Sequence, residues 1–531
     1  MLNQMPVGTE VMITSPHYLA TSAGARILAQ GGNAYDASIA VSITLGVVYP
    51  HMTGPGGDAF FLMYDAKSSE LSGYNGTGRS PASLTRELFE QMNLTSIPRR
   101  GVLSAVTVPG VVDAWWEISQ KYGCLPWEKL FDSAIQYAEK GCPISRNVHT
   151  WMLRDEAYIR ADQGLSSVYI RDGKLLSEGD LLIQLDLANS LRILQSGGRE
   201  AFYKGVLADA ITNAVIQDGG FLQKEDFENH TGEWVTPLKV DYREYEVYQM
   251  PPNSQGFSVL MMLNMLENTN VASIDRLSAS YYHLMTEVIK KSFRDRDRYL
   301  TDPEFREIPI DDLLSKPYAK QLWKEIEDSP EKAQPFLSQA MGQDTAYAAV
   351  VDGEGNAVSF IQSLYYDFGS AYVPEKTGII LQNRGSFFSL DPDSPNVLEP
   401  RKRTFHTLMP GMVLKDGKPY LLLGTQGGEG QPQTQLSILT AVLDYGCTVQ
   451  EAISLPRWVY GRTWDVEGDE LKLEQRFGAE VIEELQAMGH EVIALSEWED
   501  LMGQAQGILI GQSGLLSGAA DPRGDGAAIG W

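Results

Sequence analysis

The chain has 531 residues, of which 43% are hydrophobic, so it can bury a large core as one domain with insertions or as several smaller domains. Its formal net charge of −26 disfavours nucleic acid and anionic membranes as partners, because both bind basic surfaces. Its three cysteines are far apart and odd in number, so neither a disulfide framework nor a zinc-ligand pair is predicted.

The N-terminal stretch has no basic region followed by an apolar one, so no secretory signal is predicted. The most apolar segment, Ala37–Val48, is too short to span a bilayer and is followed by Pro50. We interpret it as a buried helix and expect a soluble, cytoplasmic protein.

The part of the chain before residue 344 is predicted to be mostly helical. Apolar residues recur there at intervals of three and four, and several of these segments stop at a glycine. The predicted helices are Tyr18–Gln30, Asp36–Val48, Trp127–Glu139, Arg199–Gln217, Gln255–Glu267 and Ala279–Leu300. A short strand-like segment is expected before Tyr18, and a strand, Ala59–Tyr64, is expected after the glycine-rich turn His51–Asp58.

From residue 344 the pattern becomes β-rich. Tyr347–Val351 and Ala357–Leu364 are separated by Asp352–Asn356, which is a strong hairpin-turn signal. Further elements are predicted as strands at Gly411–Leu414 and Tyr420–Gly424 and near Val492, Ile508 and Ala528, and as helices at Gln433–Asp444 and Ala479–Met488. Such a mixture favours layered sheets with helices outside them.

The segment Gly342–Ser359 places Thr345 at the head of a predicted strand. A second hydroxyl residue, Ser363, and the pair Phe368–Gly369 follow it. Together they resemble the processing-site signature of the γ-glutamyltranspeptidases. The blocks Ser15–Ala34, Pro50–Gly54 and Asp521–Gly526 are similar to the N-terminal and C-terminal blocks of the same family. The resemblance covers most of the chain.

The resemblance implies an α+β fold, the four-layer αββα sandwich of N-terminal-nucleophile (Ntn) hydrolases. It implies cleavage between Asp344 and Thr345, giving a large subunit of residues 1–344 and a small one of 345–531 that form one unit. It implies no metal or organic cofactor and leaves further oligomerisation open. In the alternative interpretation, Thr345 is an ordinary threonine of a strand.

Thr345 suits such chemistry because cleavage would free its own α-amine. A hydroxyl is a weak nucleophile and needs an adjacent base. An α-amino group has a pKa of roughly 8, near the operating pH that a general base requires, whereas an amide nitrogen is not basic. One residue would therefore supply both nucleophile and base, and only after cleavage.

An acyl transfer also needs donors for the developing oxyanion. The glycine-rich segment Gly424–Gly430 follows a predicted strand, and its Gly427 and Gly428 match the family's oxyanion-hole pair. A purely structural turn is the alternative. Ser363 matches the family's second hydroxyl, which orients the nucleophile.

The substrate-binding blocks depart from the family pattern. Family members hold the substrate's α-carboxylate with an arginine, and Thr77 stands at that position here. Arg79, two residues on, would lie on the same face of an extended segment and could replace it. The alternative is that Arg79 is a solvated loop residue.

A second departure lies in Leu381–Ser389. Phe387 stands where the family has an aspartate for the substrate's α-amine, and Arg384 replaces an acid or amide. A phenyl ring cannot pair with an ammonium group, and Arg384 would repel one. Arg384 could instead be a surface arginine paired with a nearby acid.

Three further residues are expected near the substrate. His406 and Thr407 replace the family's serine pair, and Tyr365 stands where an asparagine contacts the substrate. The segment between Ser389 and Arg403 is also shorter than the family's lid loop, which implies a more open cleft. The scattered histidines, His149, His230, His283 and His490, are interpreted as surface or satisfied residues.

These observations predict a γ-glutamyltransferase or glutathione hydrolase-like enzyme with an altered pocket for small amide substrates. We expect the acyl group to carry a carboxylate, held by Arg79 or Arg384, and its α-amine to be dispensable. One alternative is an acylase for glutaryl cephalosporins or poly-γ-glutamate. Another is a processing-dead paralogue that acts as a binding or scaffold protein.

Overall fold

The computed structural model describes residues 5–328, 344–462 and 468–531. Gly342, Gln343 and the side chain of Asp344 lie outside the described part, so the predicted cleavage sequence is seen from the backbone of Asp344 onward.

The strands are between two and nine residues long. In chain order they are β1 (Val7–Gly8), β2 (Met12–Ser15), β3 (Asp58–Asp65), β4 (Glu70–Gly76), β5 (Cys142–Pro143), β6 (Ile170–Arg171), β7 (Lys174–Leu175), β8 (Leu181–Leu182), β9 (Glu233–Val235), β10 (Leu238–Tyr242), β11 (Tyr245–Gln249), β12 (Asp344–Val351), β13 (Ala357–Tyr365), β14 (Gly411–Lys415), β15 (Lys418–Thr425), β16 (Trp458–Tyr460), β17 (Leu471–Glu474), β18 (Val492–Leu495), β19 (Ala505–Ile510), β20 (Leu516–Ala520) and β21 (Ala527–Gly530).

The helices are α1 (Tyr18–Ala29), α2 (Ala34–Val48), α3 (Arg86–Gln91), α4 (Val111–Tyr122), α5 (Asp132–Lys140), α6 (Arg146–Arg154), α7 (Glu156–Ala161), α8 (Gln163–Tyr169), α9 (Leu185–Tyr203), α10 (Val206–Gln217), α11 (Lys224–Glu228), α12 (Phe257–Leu266), α13 (Ala279–Tyr299), α14 (Ile310–Leu313), α15 (Lys316–Asp328), α16 (Gly430–Leu443), α17 (Val449–Ser454) and α18 (Ala479–Ala487). Within the described ranges, none of them has the length and apolar character needed to cross a bilayer.

Two seven-stranded sheets form the centre of the molecule. One, the β12 sheet, has the order β21-β2-β12-β13-β3-β4-β9, and the other, the β15 sheet, has the order β1-β20-β19-β15-β14-β11-β10. Helices α1, α2 and α4 pack on the outside of the β12 sheet, while α12, α16 and α17 cover the β15 sheet. The result is the predicted four-layer αββα arrangement.

The central strand β12 shows why the sequence folds into layers. Its alternate side chains point to opposite faces: Tyr347 and Ala349 lie between the two sheets, whereas Ala346 and Ala348 pack in the helix-side core with α2. Helix α2 is buried along its whole length, and a capping box between Asn33 and Asp36 starts it. The strand is therefore apolar on both faces, as its sequence indicates.

Most predicted elements are confirmed within a few residues, including the hairpin of β12 and β13. Two predictions need correction. The helix predicted at Arg199–Gln217 is broken at Gly205, which is extended and separates α9 from α10. The helix predicted from Trp127 begins as a single 3-10 turn, Trp127–Phe131, before α5.

The predominantly helical region also contains strands that the sequence analysis missed, among them β4, β9, β10 and β11 of the two large sheets. Strand β9 is an edge of the β12 sheet, and the hairpin of β10 and β11 is an edge of the β15 sheet. Strands β9 and β11 pair with β4 and β14, which lie more than 150 residues away in the chain, so local periodicity carries little of the signal for them.

Candidate active site

A β-bulge sets Thr345 and Ser363 opposite each other. The pairing of β12 with β13 runs Asp344 to Tyr365 and then Ala346 to Gln362. Thr345 therefore faces two residues of β13, of which Ser363 is one. Bulges of this kind re-aim side chains near active sites. The residue after the bulge, Tyr365, has a φ of 88°, which is unusual for a bulky residue and concentrates at functional sites.

Thr345 lies at the edge of the space between the sheets. It is two residues before Tyr347 and so continues the face of β12 that looks toward the β15 sheet. The Tyr347 ring packs directly on Gly424 and leaves no space for a side chain there. Since β12 begins and β15 ends next to this contact, Thr345 and the loop after Gly424 lie at the same edge of the sandwich.

That loop carries the predicted oxyanion pair. Gly427 has a φ of 131° and Gly428 a φ of 52°, both in the region that side chains disfavour. The carbonyls of the pair accept hydrogen bonds from the N–H groups of Gly430 and Gln431, at the start of α16. Among the described residues, the N–H groups of Gly427 and Gly428 have no hydrogen-bond partner. These are the free donors that an oxyanion requires.

Gln255 connects the glycine-rich loop to the segment that contains Thr407. Its side-chain amide donates to the carbonyls of Thr407 and Gly428, at 2.8 and 2.9 Å. Its oxygen accepts from Arg296 at 3.1 Å, and Arg296 pairs with buried Glu429 at 2.6 Å. The residue that follows the glycine pair is therefore fixed by an ion pair from α13.

Arg384 is buried beside Ser363. Its guanidinium donates to the hydroxyl oxygen of Thr407 at 3.0 Å and to that of Ser363 at 3.3 Å. It stacks on the Tyr365 ring, with 4.1 Å between the guanidinium carbon and the ring centre. Among the described residues no carboxylate oxygen lies within ion-pair distance, and the Nε–H has no acceptor. The expectation of a paired surface arginine is therefore wrong, because Arg384 is only 1% exposed and its partners are hydroxyl groups.

Burial lowers the pKa of Arg384 to about 10, although the nearby Tyr365 and Asp58 favour its charged form. It remains a cation at neutral pH. A buried cation without a carboxylate partner is costly, because few solvent or protein dipoles replace its hydration. The charge is therefore poised to accept an anion.

Asp58 is the acidic group that acts on Arg384. Its Oδ1 accepts from the backbone of Gly78 and Gly110 and from Gln382 at 2.9 to 3.2 Å. Burial raises the pKa of Asp58 to about 7, even though Arg384 and these donors favour the carboxylate. Asp58 is thus about half protonated near pH 7 and neutralises Arg384 only in part.

His406 contacts Asp58, and both of its ring nitrogens have hydrogen-bond partners in the protein. Its Nδ1 accepts from the N–H of Leu408 at 3.4 Å, so the neutral ring carries its proton on Nε2 and donates to Asp58 Oδ2 at 3.3 Å. Burial and the charge of Arg384 hold the pKa of His406 well below its ordinary value. His406 therefore supports Asp58 as a neutral donor.

Arg79 lies in a separate cluster. It forms ion pairs with Asp302 and Glu233, each at 3.1 Å, and with Glu304 at 2.6 Å, and its side chain is 25% exposed. Three carboxylates already occupy its guanidinium. Neither a solvated loop arginine nor a free carboxylate receptor describes this residue.

Phe387 lines a cleft of about 450 Å³ next to the Arg384 site. Its ring contacts that of Phe405 at 4.8 Å and that of Tyr365 at 5.9 Å between centres. The aromatic wall therefore leads from the cleft to the guanidinium of Arg384.

Two glutamines lie close to the glycine pair in the chain. The side-chain amides of Gln426 and Gln431 are buried, and neither has a hydrogen-bond partner among the described residues. Buried amides are rarely left unpaired, so ordered water or a ligand is expected to satisfy them.

The profile of the gamma-glutamyltranspeptidase family matches residues 20–531. The chain belongs to this family. The predicted family and fold class, and with them the prediction of an Ntn enzyme, are confirmed by the matches.

Three proteins with different names are similar to this chain over almost its whole length. The glutathione hydrolase-like YwrD proenzyme of Bacillus subtilis (strain 168) is 50% identical over 100% of both chains. The oxamate amidohydrolase proenzyme of Klebsiella pneumoniae subsp. pneumoniae is 36% identical over 99% of both. The crystal structure of cephalosporin acylase from Bacillus halodurans has a TM-score of 0.93 at 35% identity, covering 100% of this chain and 97% of that one.

The structure brings most of the predicted site residues together. Thr345 faces Ser363 across the strand pair, and Arg384 donates to both Ser363 and Thr407. Arg79 stands apart from them. Sequence analysis missed Asp58, although it ends a glycine-rich turn that had been noted. It also missed Gln255, which no motif marks.

Proposed function

We propose that this chain is a self-processing amidase in which Thr345, freed by cleavage after Asp344, attacks amides whose acyl group ends in a carboxylate held by Arg384. Ser363 orients the nucleophile, and the N–H groups of Gly427 and Gly428 receive the oxyanion. Residues 1–344 and 345–531 would then be the two subunits of one enzyme.

The observation that carries the proposal is the state of Arg384. It is a buried cation next to Ser363, and its direct partners are two hydroxyl oxygens. An incoming carboxylate would add charge-assisted bonds to the free Nε–H and replace the weaker hydroxyl contacts. Thr345 and Arg384 are each only 1% exposed in the continuous chain, so we expect access to the pocket to follow cleavage.

The reaction follows from these positions. The α-amine of Thr345 takes the proton from its own Oγ, which attacks the amide carbon and forms a tetrahedral oxyanion held by Gly427 and Gly428. The ammonium then returns the proton to the leaving amine as the C–N bond breaks. The resulting ester on Thr345 passes its acyl group to water or to an acceptor amine.

The acyl group is proposed to need a carboxylate but no α-amine. Arg384 would repel an ammonium group, and the ring of Phe387 offers it no ion pair. Glutaryl groups would then be accepted at least as well as γ-glutamyl groups. This favours a pocket of the acylase type over one dedicated to glutathione.

A second candidate is an amidase for very short acids such as oxamate, the substrate named for the 36% identical relative. The specific observation is that Arg384 donates directly to Ser363, which lies opposite Thr345 on the paired strand. A carboxylate on Arg384 could thus lie close to the scissile carbon, and a short acyl group would span the gap.

Processing is tested on a denaturing gel with N-terminal sequencing of the smaller fragment. The purified protein should give two fragments, the smaller one beginning at Thr345, and Thr345→Ala should remain whole and inactive. A wild-type chain that stays whole would favour the scaffold alternative.

Substrate class is tested with matched amides on the processed enzyme. Glutaryl, γ-glutamyl and butyryl p-nitroanilides differ only in the carboxylate and the amine, and oxamate tests the shortest spacer through ammonia release. We expect kcat/KM to be highest for glutaryl or, in the second candidate, for oxamate. A strong preference for γ-glutamyl would refute the altered pocket.

A further inference from the structure

A histidine pair and a buried glutamate come together far from the glycine pair in sequence. His283 and Glu287 are four residues apart on α13 and therefore share a face. His490 reaches the same place from the turn before β18. One ligand atom from each residue lies within 4.8 Å of the other two.

A hydrogen bond between the rings explains only part of this arrangement. His283 Nδ1 and His490 Nε2 are 2.8 Å apart, which suits such a bond. The side chain of Glu287 is 2% exposed, and its Oε1 accepts from Lys290 at 2.6 Å. Its Oε2 is buried without a partner among the described residues. An unpaired carboxylate oxygen is costly, so a further positive partner is expected there.

We propose that His283, Glu287 and His490 bind a divalent transition-metal ion, with Zn²⁺ as the best match. Two imidazoles and one carboxylate are a known zinc ligand set, which leaves a fourth position for water. Tetrahedral zinc with bonds of about 2.0 Å holds its ligand atoms about 3.3 Å apart. The rings would move apart by a fraction of an ångström, and Glu287 Oε2 would gain its partner.

The ion would join the two sides of the predicted cleavage point. His283 and Glu287 precede it, whereas His490 follows it. Helix α13 also carries Arg296, which pairs with Glu429 beside the glycine pair. The metal would therefore fasten the helix that holds this loop to the C-terminal part of the chain.

The test is zinc titration of the full-length, EDTA-treated protein by calorimetry, with metal content measured after dialysis. We expect one Zn²⁺ per chain and a higher unfolding temperature. Glu287→Gln and His490→Gln should weaken binding at least tenfold and abolish the thermal shift. His149→Gln, a half-buried histidine outside the cluster, and Cys124→Ser, the exposed thiol, should change affinity less than twofold.

Co²⁺ provides a check that does not depend on the stability of the variants. The wild-type chain should give the visible absorption of cobalt bound to nitrogen ligands, displaced by one equivalent of Zn²⁺. Absence of stoichiometric binding, or binding that both ligand variants retain, would overturn the proposal.

Discussion

The two arginines predicted for the substrate carboxylate lie in regions of opposite character. Arg79 is partly exposed and surrounded by Asp302, Glu233 and Glu304. Arg384 is buried, and its hydrogen-bond partners among the described residues are two hydroxyl groups. The chain's own acids neutralise the first, whereas Asp58 neutralises the second only in part. An arginine with an incomplete set of partners is the better candidate for binding, because natural sites give up stability to keep such groups.

The largest predicted difference between the two arginines is in catalytic activity. Arg384→Met should reduce kcat/KM for a glutaryl amide by roughly 10²-fold or more, because the carboxylate loses a buried charge-assisted partner. Arg79→Met should reduce it less than about threefold. Steady-state kinetics on the processed variants measures both. Equal losses in the two variants would show that the comparison is wrong.

Stability should respond in the opposite direction. Arg79→Met leaves buried Asp302 without its cation and should lower the free energy of unfolding by about 2 kcal/mol. Arg384→Met removes an uncompensated buried charge and should leave it unchanged or raise it by about 1–2 kcal/mol. Urea unfolding of the unprocessed Thr345→Ala chain avoids subunit dissociation, and Arg79→Met/Asp302→Asn should recover part of the first loss.

A smaller effect on self-cleavage and kinetics should distinguish the roles of Ser363 and Thr407, the two hydroxyl partners of Arg384. Ser363→Ala should slow both self-cleavage and kcat about tenfold, the equivalent of roughly 1.4 kcal/mol for one hydrogen bond. Thr407→Val should raise KM while cleavage proceeds normally. A gel time course with kinetics distinguishes them. If Ser363→Ala changes only KM, its role is to hold Arg384 and not the nucleophile.

The smallest expected effect is a pH dependence set by Asp58. Its pKa of about 7 means that it is neutral below that pH and competes with substrate for Arg384 above it. The ratio of kcat/KM for glutaryl over butyryl amides should therefore fall a few-fold as pH rises through 7. The ratio cancels the titration of the Thr345 amine, and Asp58→Asn should make it flat.

The sequence predicted the layers, and the position of Thr345 at the start of a strand, more securely than the pocket. The hairpin of β12 and β13 follows from its Asp352–Asn356 turn and local alternation. The short strands β9 and β11 pair with strands that are distant in the chain and were hidden among helices. The same limit applies to the site, because the acids that neutralise Arg79 lie more than 150 residues away. Neither arginine could be chosen from its local sequence.

The bulge opposite Thr345 and the contacts of Gln255 show a second limit. A bulge is one extra residue in a pairing register, and no residue type in β13 marks it. Gln255 acts through backbone carbonyls of Thr407 and Gly428, which any sequence would supply. Such contacts are determined by tertiary packing.

The most direct test is a crystal structure of the processed enzyme soaked with glutarate. One carboxylate should lie about 3 Å from the guanidinium of Arg384 and the other near Thr345 and the N–H groups of Gly427 and Gly428. Glutarate bound to Arg79, with Arg384 still bonded only to Ser363 and Thr407, would contradict the account.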